Sequence, residues 1–447
     1  MKKVLLLGSA AREQAIGTAL KSSQEEVELY VFGSSVNPGL QALAKVYKVG
    51  QLKSNTAIAS FALASNVDFA IIGPENPLAE GIVDVLEQIG IPSVGPTKAL
   101  AQVETSKSFT RDLFVEYKIP GAPKYQVFTS TVGLADWLKV LGDNFVIKQD
   151  GLAGGKGVLV SGDHFKGMAE GLKIATELLK ANAKIVIEEK LIGQEFSLMS
   201  FCDGDHLLHL PIAQDHKRAQ AGDIGLNTGG MGSYSCANFT LPFLDEDDVI
   251  AAQKINEAAA LALKKKIGKG YKGILYGGFM AVKEGVRLIE YNARLADPES
   301  MNILSLFPDK TFPPSSSADF LQVCLGIING TLDKIKLELK PLATVCKYAV
   351  PEGYPEHPIK DQKIDVSGVD QNKVKIFYAA VDQKEDGLYL TGSRAVAIVG
   401  RGEDLYQTEK MVETEIKKII GPVFHRADIA TKELIDKRIK MMKELRA

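Results

Sequence analysis

The sequence predicts an α/β protein of about three domains that opens with a doubly wound parallel sheet. Residues 1–104 alternate short apolar runs, closed by glycine or proline, with helical patterns, which is the signature of βαβ units. Further along, two apolar runs flank a glycine-rich loop, a pattern that indicates a hairpin. At 447 residues the chain is long enough for each domain to bury a core of its own.

The first region supports the parallel sheet element by element. Its predicted strands are residues 3–8, 27–33, 46–49, 69–73 and 92–95, and its predicted helices are residues 13–21 and 78–89. The loop from Gly8 to Glu13 lacks the GxGxxG spacing, so a nicotinamide cofactor is not indicated.

The remaining regions are predicted to form a core, a small α/β lid and a mixed α/β tail. A helix at 106–118 begins at Thr105 or Ser106 and ends before Pro120. Further helices are predicted at 165–180 and 246–265, with two charged helices in the tail. The later predicted strands are residues 184–189, 278–283, 286–291, 344–350, 374–380 and 395–399. We therefore expect domains at 1–104, at 105–123 with 196–330, at 124–195, and at 331–447.

Composition limits the classes of partner. A formal net charge of -2 and a pI near 6.4 give no reason to expect nucleic acid as a partner. No run of 18 apolar residues indicates a membrane span. Four scattered cysteines indicate neither a disulfide framework nor a zinc site, and they favour a reducing compartment. We expect a cytoplasmic protein that is a monomer or a small homo-oligomer.

The central glycine loop is predicted to bind phosphate. A strand at 145–148 ends in Lys148, and the loop after it contains Gly154, Gly155, Lys156 and Gly157. Backbone free of side chains lets N–H groups approach oxyanions, and the lysines add positive charge. The loop is not a P-loop, because Gly157 rather than Ser or Thr follows Lys156. The alternative is an ordinary glycine-rich hairpin.

A second motif predicts a metal site. On a strand, Glu290 and Asn292 face the same side, so a carboxylate and an amide oxygen lie together. This pair suits Mg²⁺, and Arg294 continues the same face, where it could hold a carboxylate or phosphate. The alternative is a solvated edge strand.

The residues after Arg294 predict a helix that points its N-terminus into the same site. Asp297 is a good N-cap and Pro298 a good first helical residue. The free N–H groups of the first turn would favour an anion. A plain capped helix is the alternative.

The acidic end of the strand at 184–189 is a candidate nucleotide hinge. Backbone groups near Glu188, Glu189 and Leu191 would pair with adenine, and Glu195 would accept ribose hydroxyls. Exposed charges on a sheet edge are the alternative.

A long polar stretch, residues 214–232, is predicted to be a functional loop, since such loops in compact domains are functional or disordered. It contains Asp215, Lys217 and the run Asn227, Thr228, Gly229, Gly230, Met231 and Gly232. His216 could be a general base, although a single histidine among basic neighbours is more often structural.

Taken together, these motifs resemble the ATP-grasp superfamily, in which two α/β lobes clamp ATP. Within it the chain resembles the phosphoribosylamine–glycine ligase family nearly from end to end. The matching segments include Gly-Pro-Glu-Asn-Pro-Leu-Ala-Glu-Gly at 73–81, Glu-Thr-Ser-Lys at 104–107, Gln-Asp-His-Lys-Arg at 214–218, Asn-Thr-Gly-Gly-Met-Gly at 227–232 and Glu-Tyr-Asn-Ala-Arg at 290–294.

The resemblance implies an ATP-grasp core with a lid, ATP with Mg²⁺ or Mn²⁺ as cofactors, and glycine and 5-phosphoribosylamine as substrates. It implies that Lys107 and Lys148 hold the ATP phosphates, residues 188–191 the adenine, and Glu290 and Asn292 the metal. The catalytic candidates are Arg294, Lys148 and Asp215. The substrate-binding candidates are Arg12, Glu13, Asn37, Pro38, Gly39, Glu75, Asp215, Lys217, Asn227–Gly232 and Asp297.

Two of the chain's departures from the family pattern, at residues 10–14 and 36–40, lie where the amine substrate is expected, while Leu295 and Ala296 replace a usual Phe and Gly elsewhere. Ala10, Ala11 and Gln14 stand where the family usually has Gly, Gly and His, and Leu40 stands where it has Thr. Ala430 likewise replaces a usual glycine. Nucleotide use is therefore better supported than the acceptor, which leaves another carboxylate–amine ligase, or a nucleotide-binding protein without turnover, as alternatives.

Overall fold

The computed structural model describes residues 1–152, 157–310 and 317–447. Its first region is a parallel sheet with strand order β3-β2-β1-β4-β5 and helices between the strands. The elements are β1 (Lys2–Leu7), α1 (Ala11–Lys21), β2 (Val27–Gly33), α2 (Pro38–Leu43), β3 (Ala44–Val49), α3 (Asn55–Ser65), β4 (Phe69–Ile72), α4 (Glu75–Glu80), α5 (Ile82–Gln88) and β5 (Ser93–Val94).

This order confirms the predicted doubly wound sheet and locates a crevice. The chain crosses from one half of the sheet to the other between β1 and β4, and ligands bind at such a point beyond the carboxyl ends of the strands. One prediction is wrong: residues 78–89 do not form a single helix. Gly81 adopts the left-handed conformation at φ 81°, which ends α4 and starts α5 in a new direction.

The second region forms a small antiparallel sheet of order β6-β9-β7-β8 with its own hydrophobic core. Two helices precede it, and Ser106 caps the second by accepting a hydrogen bond from Phe109 N, as predicted. The elements are α6 (Gln102–Thr105), α7 (Lys107–Glu116), β6 (Tyr125–Phe128), α8 (Leu134–Leu141), β7 (Phe145–Gln149), β8 (Val158–Val160), α9 (Gly167–Lys180) and β9 (Ile185–Glu189).

The pairing of β7 with β8 confirms the predicted hairpin, with Lys148 opposite Val158. Gly154, Gly155 and Lys156 lie outside the described residues. Gly157 is described at the end of the loop, where its carbonyl accepts a hydrogen bond from Gln149 N at 2.8 Å.

The third region contains an antiparallel sheet of order β11-β10-β16-β17. Its elements are β10 (Gln194–Asp203), β11 (Leu207–His209), β12 (Gln214–Asp215), β13 (Arg218–Gln220), β14 (Ile224–Asn227), β15 (Gly232–Ser235), α10 (Glu246–Ile267), β16 (Lys272–Ala281), β17 (Val286–Asn292), α11 (Glu299–Leu304) and α12 (Phe320–Asn329). The polar stretch at 214–232, predicted to be a loop, instead contains β12 and the paired strands β13 and β14.

The last region completes a sheet that begins much earlier in the chain. Its main path is β12-β15-β18-β23-β20, and β20 is an edge strand. The elements are a 3-10 helix (Leu332–Lys334), β18 (Ala343–Pro351), β19 (Lys363–Ile364), β20 (Val374–Tyr378), β21 (Val381–Lys384), β22 (Gly387–Leu390), β23 (Val396–Gly402), α13 (Leu405–Ile416), β24 (Val423–Phe424) and α14 (Lys432–Arg446). Because β12 and β15 come from residues 214–235, this sheet crosses the predicted boundary at 330.

A search of the described helices found none with the length and apolar character needed to cross a bilayer.

Candidate active site

Lys148 and Glu290, predicted from two distant motifs, belong to one site. The Lys148 ammonium donates to Ile289 O at 2.9 Å, directly beside Glu290, and pairs with the Glu188 carboxylate at 2.7 Å. An ammonium has three protons, and these two contacts within the described residues use two of them. Burial lowers the pKa of Lys148, while the charges of Glu188 and Glu290 oppose that shift.

A buried arginine, which the sequence interpretation missed, completes this arrangement. Arg111 on α7 binds both oxygens of Glu188, at 2.6 and 3.0 Å, and also donates to Ile289 O at 2.7 Å. Burial would raise the pKa of Glu188, but Arg111 and Lys148 lower it to about 2. The Glu188 carboxylate is therefore fully engaged by Arg111 and Lys148, which in turn bind Ile289 O on β17.

A β-bulge on β17 explains why one carbonyl receives two cations. Gly278 pairs with Glu290 and Phe279 with Leu288, so Ile289 has no partner in the strand register. A bulge leaves its extra residue outside the ladder. The Ile289 carbonyl is thereby free to accept from Arg111 and Lys148, which sets both cations beside the next residue, Glu290.

The surroundings of Glu290 suit a divalent metal. Burial would raise its pKa, but the charges of Lys217, Lys148, Lys107 and Arg294 lower it, so the carboxylate stays ionised near neutral pH. Asn292 lies two residues further along β17 on the same face. One carboxylate and one amide oxygen fit Mg²⁺, which takes few protein ligands together with phosphate oxygens and water.

Lys107 is the first residue of α7 and contacts the segment that follows β7. Its ammonium donates to Gly151 O at 2.9 Å, and Asp150 accepts from Ser108 N and Ser108 Oγ at 3.2 and 2.6 Å. These bonds fasten the start of the loop to the N-terminus of α7. Lys107 is thus held beside Asp150 and Gly151.

The hinge candidates lie where the small sheet meets the core. The Glu189 carboxylate accepts from Lys124 N at 2.8 Å, and the Glu189 N–H donates to Lys124 O. Both groups therefore bind the residue that precedes β6. Leu191 follows the end of β9 and is half-buried. Glu195 is partly exposed and pairs with Lys217 at 3.1 Å, which places it on the same cleft as Glu290.

Asp215 and Lys217 bring an acidic and a basic side chain together on one side of the site. Burial raises the pKa of Asp215 well above the ordinary value, with Glu299 adding to the shift and Lys217 opposing it. The Asp215 Oδ1 atom is buried and has no hydrogen-bond partner among the described residues. Glu299, which the sequence did not reveal, accepts from Ser197 and Tyr276 hydroxyls at 2.7 and 2.8 Å.

His216 lies in the protein interior and is not placed as a general base. Burial lowers its pKa well below the ordinary value, and both ring nitrogens are buried without hydrogen-bond partners in the part of the chain described. Its ring packs against Tyr234 at 5.8 Å between centroids. The geometry therefore supports a structural role for His216 rather than a catalytic one.

Arg394 from the last region holds the polar run at 227–232 in place. Its Nη1 donates to Gly229 O at 2.6 Å and to Gly230 O at 3.0 Å. Gly230 has φ +108°, and a Cβ there would lie 2.6 Å from Asp215 Oδ1, so the run approaches Asp215 closely because it has no side chain at that point.

The other residues of the 227–232 run mostly bind or pack against neighbouring backbone. Thr228 donates to Lys217 O through N at 2.7 Å and Oγ1 at 2.9 Å. Asn227 pairs with Arg218 across the β13–β14 hairpin. Met231 is fully buried in the core, and Gly232 passes so close to Cys346 O that a Cβ would lie 2.2 Å away.

The prediction that Asp297 caps a helix is wrong. The helix α11 starts at Glu299, with Pro298 in the cap position and no side-chain cap bond. The Asp297 carboxylate instead accepts from Tyr348 Oη at 2.8 Å and pairs with Arg394 at 3.2 Å. Two distant partners outcompete the local cap, so Asp297 helps hold the same loop as Arg394.

Arg294 lies between two acidic side chains at the crevice of the parallel sheet. It approaches Glu75 at 3.6 Å and Glu104 at 3.4 Å, and its Nε is buried without a hydrogen-bond partner within the described residues. Burial would raise the pKa of Glu75, but Arg294 and Arg12 lower it; burial raises that of Glu104. Glu104 also accepts from Ala293 N at 2.8 Å, so it orients the Arg294 segment.

Arg12 and Glu13 reach the same crevice from the first turn of α1. Arg12 binds Glu13 at 2.5 Å and donates to Leu295 O at 3.4 Å, while Glu13 accepts from Ala10 N at 2.7 Å. A Cβ at Gly8, which has φ +112°, would come within 2.6 Å of the Glu13 side chain. The glycine at the end of β1 therefore makes room for the Glu13 carboxylate.

The segment 37–39 faces the last region of the chain. The Asn37 amide donates to Ser9 O and Tyr378 O at 3.2 and 2.6 Å, and its oxygen accepts from Leu40 N at 3.0 Å. Pro38 is the first residue of α2 and Gly39 lies against Gln14. Because the Asn37 side chain is fully buried and engaged, the geometry does not support the direct substrate contact predicted for it.

Sequence reasoning could have found some of the missed residues. Arg111 lies four residues after Lys107, on the same helix face, which is a readable signal. Glu104 belongs to a quoted motif without having been singled out. Glu299 and Arg394 had no such signal, because their partners are distant in sequence.

Comparison with known proteins agrees with this geometry. Residues 2–104, 105–300 and 344–432 match the N domain, the ATP-grasp (A) domain and the C domain of phosphoribosylglycinamide synthetase. The phosphoribosylamine–glycine ligase of Methanocaldococcus jannaschii is 46% identical over 99% of this chain and 100% of its own length. That of Methanobrevibacter smithii is 44% identical over 99% of each chain.

Solved structures give the same assignment. The phosphoribosylamine–glycine ligase of Thermotoga maritima superposes with a TM-score of 0.78 at 27% identity, covering 96% of this chain and all of that one. The biotin carboxylase of Campylobacter jejuni, solved with an ATP analogue, shares the fold at 14% identity with a TM-score of 0.70 over 99% of this chain and 95% of that one. With relatives above 40% identity over its whole length, this chain belongs to the phosphoribosylglycinamide synthetase family of ATP-grasp ligases.

Proposed function

We propose that this chain joins glycine to 5-phosphoribosylamine at the expense of ATP, giving glycinamide ribonucleotide, ADP and phosphate in purine biosynthesis. The observation that carries the proposal is the convergence of Lys148, Lys107, Lys217 and Arg294 around the ionised Glu290 carboxylate. Four cations around two metal-ligand oxygens suit a bound triphosphate. The family membership supports the same reaction.

The reaction proceeds in two transfers. The glycine carboxylate attacks the γ-phosphorus of ATP, which forms glycyl phosphate and releases ADP. The amine of phosphoribosylamine then attacks the acyl carbon, phosphate leaves with the bonding electrons, and the amine loses a proton. Such phosphoryl transfer needs positioning and charge neutralisation more than covalent help from the protein.

The nucleotide is held from two sides in this proposal. Lys107 and Lys148 bind its phosphates, together with the loop residues Gly154, Gly155, Lys156 and Gly157. The backbone at 188–191 binds adenine, and Glu195 accepts the ribose hydroxyls. Its position on the cleft beside Lys217 supports that role for Glu195.

Glu290 and Asn292 hold Mg²⁺ or Mn²⁺ in this proposal. When bound, the metal neutralises charge on the phosphate oxygens. The depressed pKa of Glu290 supports the assignment, because an ionised carboxylate is the ligand form.

The acceptor side lies between the crevice of the parallel sheet and the 227–232 run. Arg294 contributes positive charge toward the glycyl phosphate, and its effect on the pKa of Glu290 supports that role. In this proposal Asp215 accepts a hydrogen bond from an amino group of a substrate, and its buried Oδ1 atom, which has no hydrogen-bond partner within the described residues, supports that role. Lys217 adds positive charge on the same side.

Release of ADP tests the reaction. The complete mixture contains ATP, MgCl₂, glycine and phosphoribosylamine, and parallel mixtures omit each substrate or replace Mg²⁺ with Mn²⁺. We expect release that requires both glycine and the amine, with ribonucleotide product detected by mass spectrometry. No release from the complete mixture contradicts the proposal, and release with a different acid or amine instead identifies another ATP-grasp ligase.

A further inference from the structure

Two amide side chains of the first region bind the edge strand β20 of the sheet that runs from β12 to β20. Gln14 donates from Nε2 to Ile376 O at 3.0 Å and accepts from Tyr378 N at 2.7 Å. Asn37 donates to Tyr378 O at 2.6 Å. Gln14 is 7% exposed and Asn37 is fully buried, so these bonds are shielded from water.

The glutamine amide matches this edge chemically. Its donor and acceptor lie side by side, so it meets a carbonyl and an N–H two residues apart, as a neighbouring parallel strand would. The two nitrogens of an imidazole point to opposite sides of the ring, so a histidine at position 14 could serve only one of the two groups. Gly39 completes the fit, because a Cβ there would lie 2.2 Å from the Gln14 amide.

These contacts fix the first turn of α1 with respect to the rest of the molecule. Arg12 and Glu13 precede Gln14 in that turn, and Arg12 reaches Leu295 O beside Arg294. A shift of this turn would therefore move Arg12 relative to Glu75 and Arg294. The charges of Arg12 and Arg294 both act on the Glu75 carboxylate.

We propose that Gln14 and Asn37 are positioning residues that dock the first region on β20 and thereby shape the acceptor side of the site. The inference rests on the proposed function for its kinetic consequence, while the docking itself does not. Gln14 stands where the family usually has histidine, and its amide fits the backbone of β20 in this chain. Neither side chain needs to contact substrate for this role.

The test uses Gln14→Ala, Gln14→His and Gln14→Glu in the full-length chain, with Gln88→Ala as the control. Gln88 is an exposed glutamine at the end of α5, in the same region of the chain. Two measurements are made: the KM of each substrate in the ligase assay, and deuterium uptake by the 374–380 peptide.

Loss of two buried hydrogen bonds corresponds to an effect on the order of tenfold. We expect Gln14→Ala to raise the KM of phosphoribosylamine about tenfold, leaving the KM values of ATP and glycine within about twofold. In Gln14→His the KM of phosphoribosylamine should rise less, because one hydrogen bond survives. In Gln14→Glu it should rise at least as much as in Gln14→Ala, because a carboxylate oxygen would face Ile376 O. Peptide 374–380 should take up deuterium faster in Gln14→Ala and unchanged in Gln88→Ala.

Three results overturn the proposal. Unchanged uptake in Gln14→Ala means that the side chain does not hold the edge. Faster uptake with an unchanged amine KM means that docking does not shape the site, and an equal rise in all three KM values means general loss of structure. If the parental protein forms no product, the proposed function and the kinetic half of this inference fail together, whereas deuterium uptake still decides the docking.

Discussion

Replacing Glu188 with glutamine should both destabilise the small sheet and weaken nucleotide use. Three charge-assisted contacts connect this carboxylate to two cations, at 2.6 and 3.0 Å from Arg111 and 2.7 Å from Lys148. The three side chains are 3–6% exposed, so solvent screens them little. Breaking a buried pair by removing one partner costs about 3–5 kcal/mol. Since glutamine keeps one acceptor oxygen, we expect about 3 kcal/mol.

The single tryptophan of the chain provides the assay. Trp137 on α8 donates from Nε1 to Ile187 O at 3.2 Å, one residue from Glu188, so its fluorescence reports unfolding of this sheet. Urea titration of Glu188→Gln should show the loss, and Glu177→Gln, an exposed change on α9, should not. Because Glu188 raises the pKa of Lys148, the variant should also bind ATP more weakly.

The pH dependence follows from the same contacts. The pKa of Glu188 is lowered to about 2 in the folded protein, so its stabilisation is complete above about pH 4.5 and is lost as pH falls through about 2. The parental protein should therefore lose stability over that range, and the variant should lack this part of the loss. The reasoning is refuted if the parental protein and Glu188→Gln differ by less than about 1 kcal/mol in free energy of unfolding at neutral pH and lose stability equally in acid.

Three further changes test other parts of the site. Lys148→Ala removes a charge-assisted contact worth about 1.5–3 kcal/mol and should slow turnover roughly 10- to 150-fold; turnover at the parental rate would refute its assigned role. Glu299→Gln removes a negative charge that raises the pKa of Asp215, so any limb of the pH–rate profile due to Asp215 should move to lower pH, and movement to higher pH would contradict the placement. Ala430→Gly should raise the free energy of unfolding, measured by urea titration, by about 0.5–1 kcal/mol, because Ala430 has φ +64°, whereas Ala349→Gly within β18 should lower it.

The fold was predictable where local sequence decides structure. Strands closed by glycine or proline gave the parallel sheet, and Ser106 capped its helix as expected, because each signal acts within a few residues. Prediction failed where a distant partner intervened. Asp297 has a good N-cap sequence, but Tyr348 and Arg394 take its carboxylate.

The site divides in the same way. Lys148, Glu290 and Asn292 could be proposed from motifs because their chemistry shows in adjacent residues. The pairing of Glu188 with Arg111 could not, since 77 positions separate them and only the folded chain brings them together. The β-bulge that frees Ile289 O is likewise invisible in a strand pattern.

The sheet that runs through β12, β15, β18, β23 and β20 bears on how this molecule could be divided. Two of its strands are made before the chain reaches residue 236 and the others after residue 342. A fragment ending near 330 would keep the β12–β15 pair but lack β18, the strand on the other side of β15, and would leave unpaired backbone beside the 227–232 run. The last region therefore completes the sheet beside the 227–232 run, and during synthesis that sheet cannot form in full until β23 has left the ribosome.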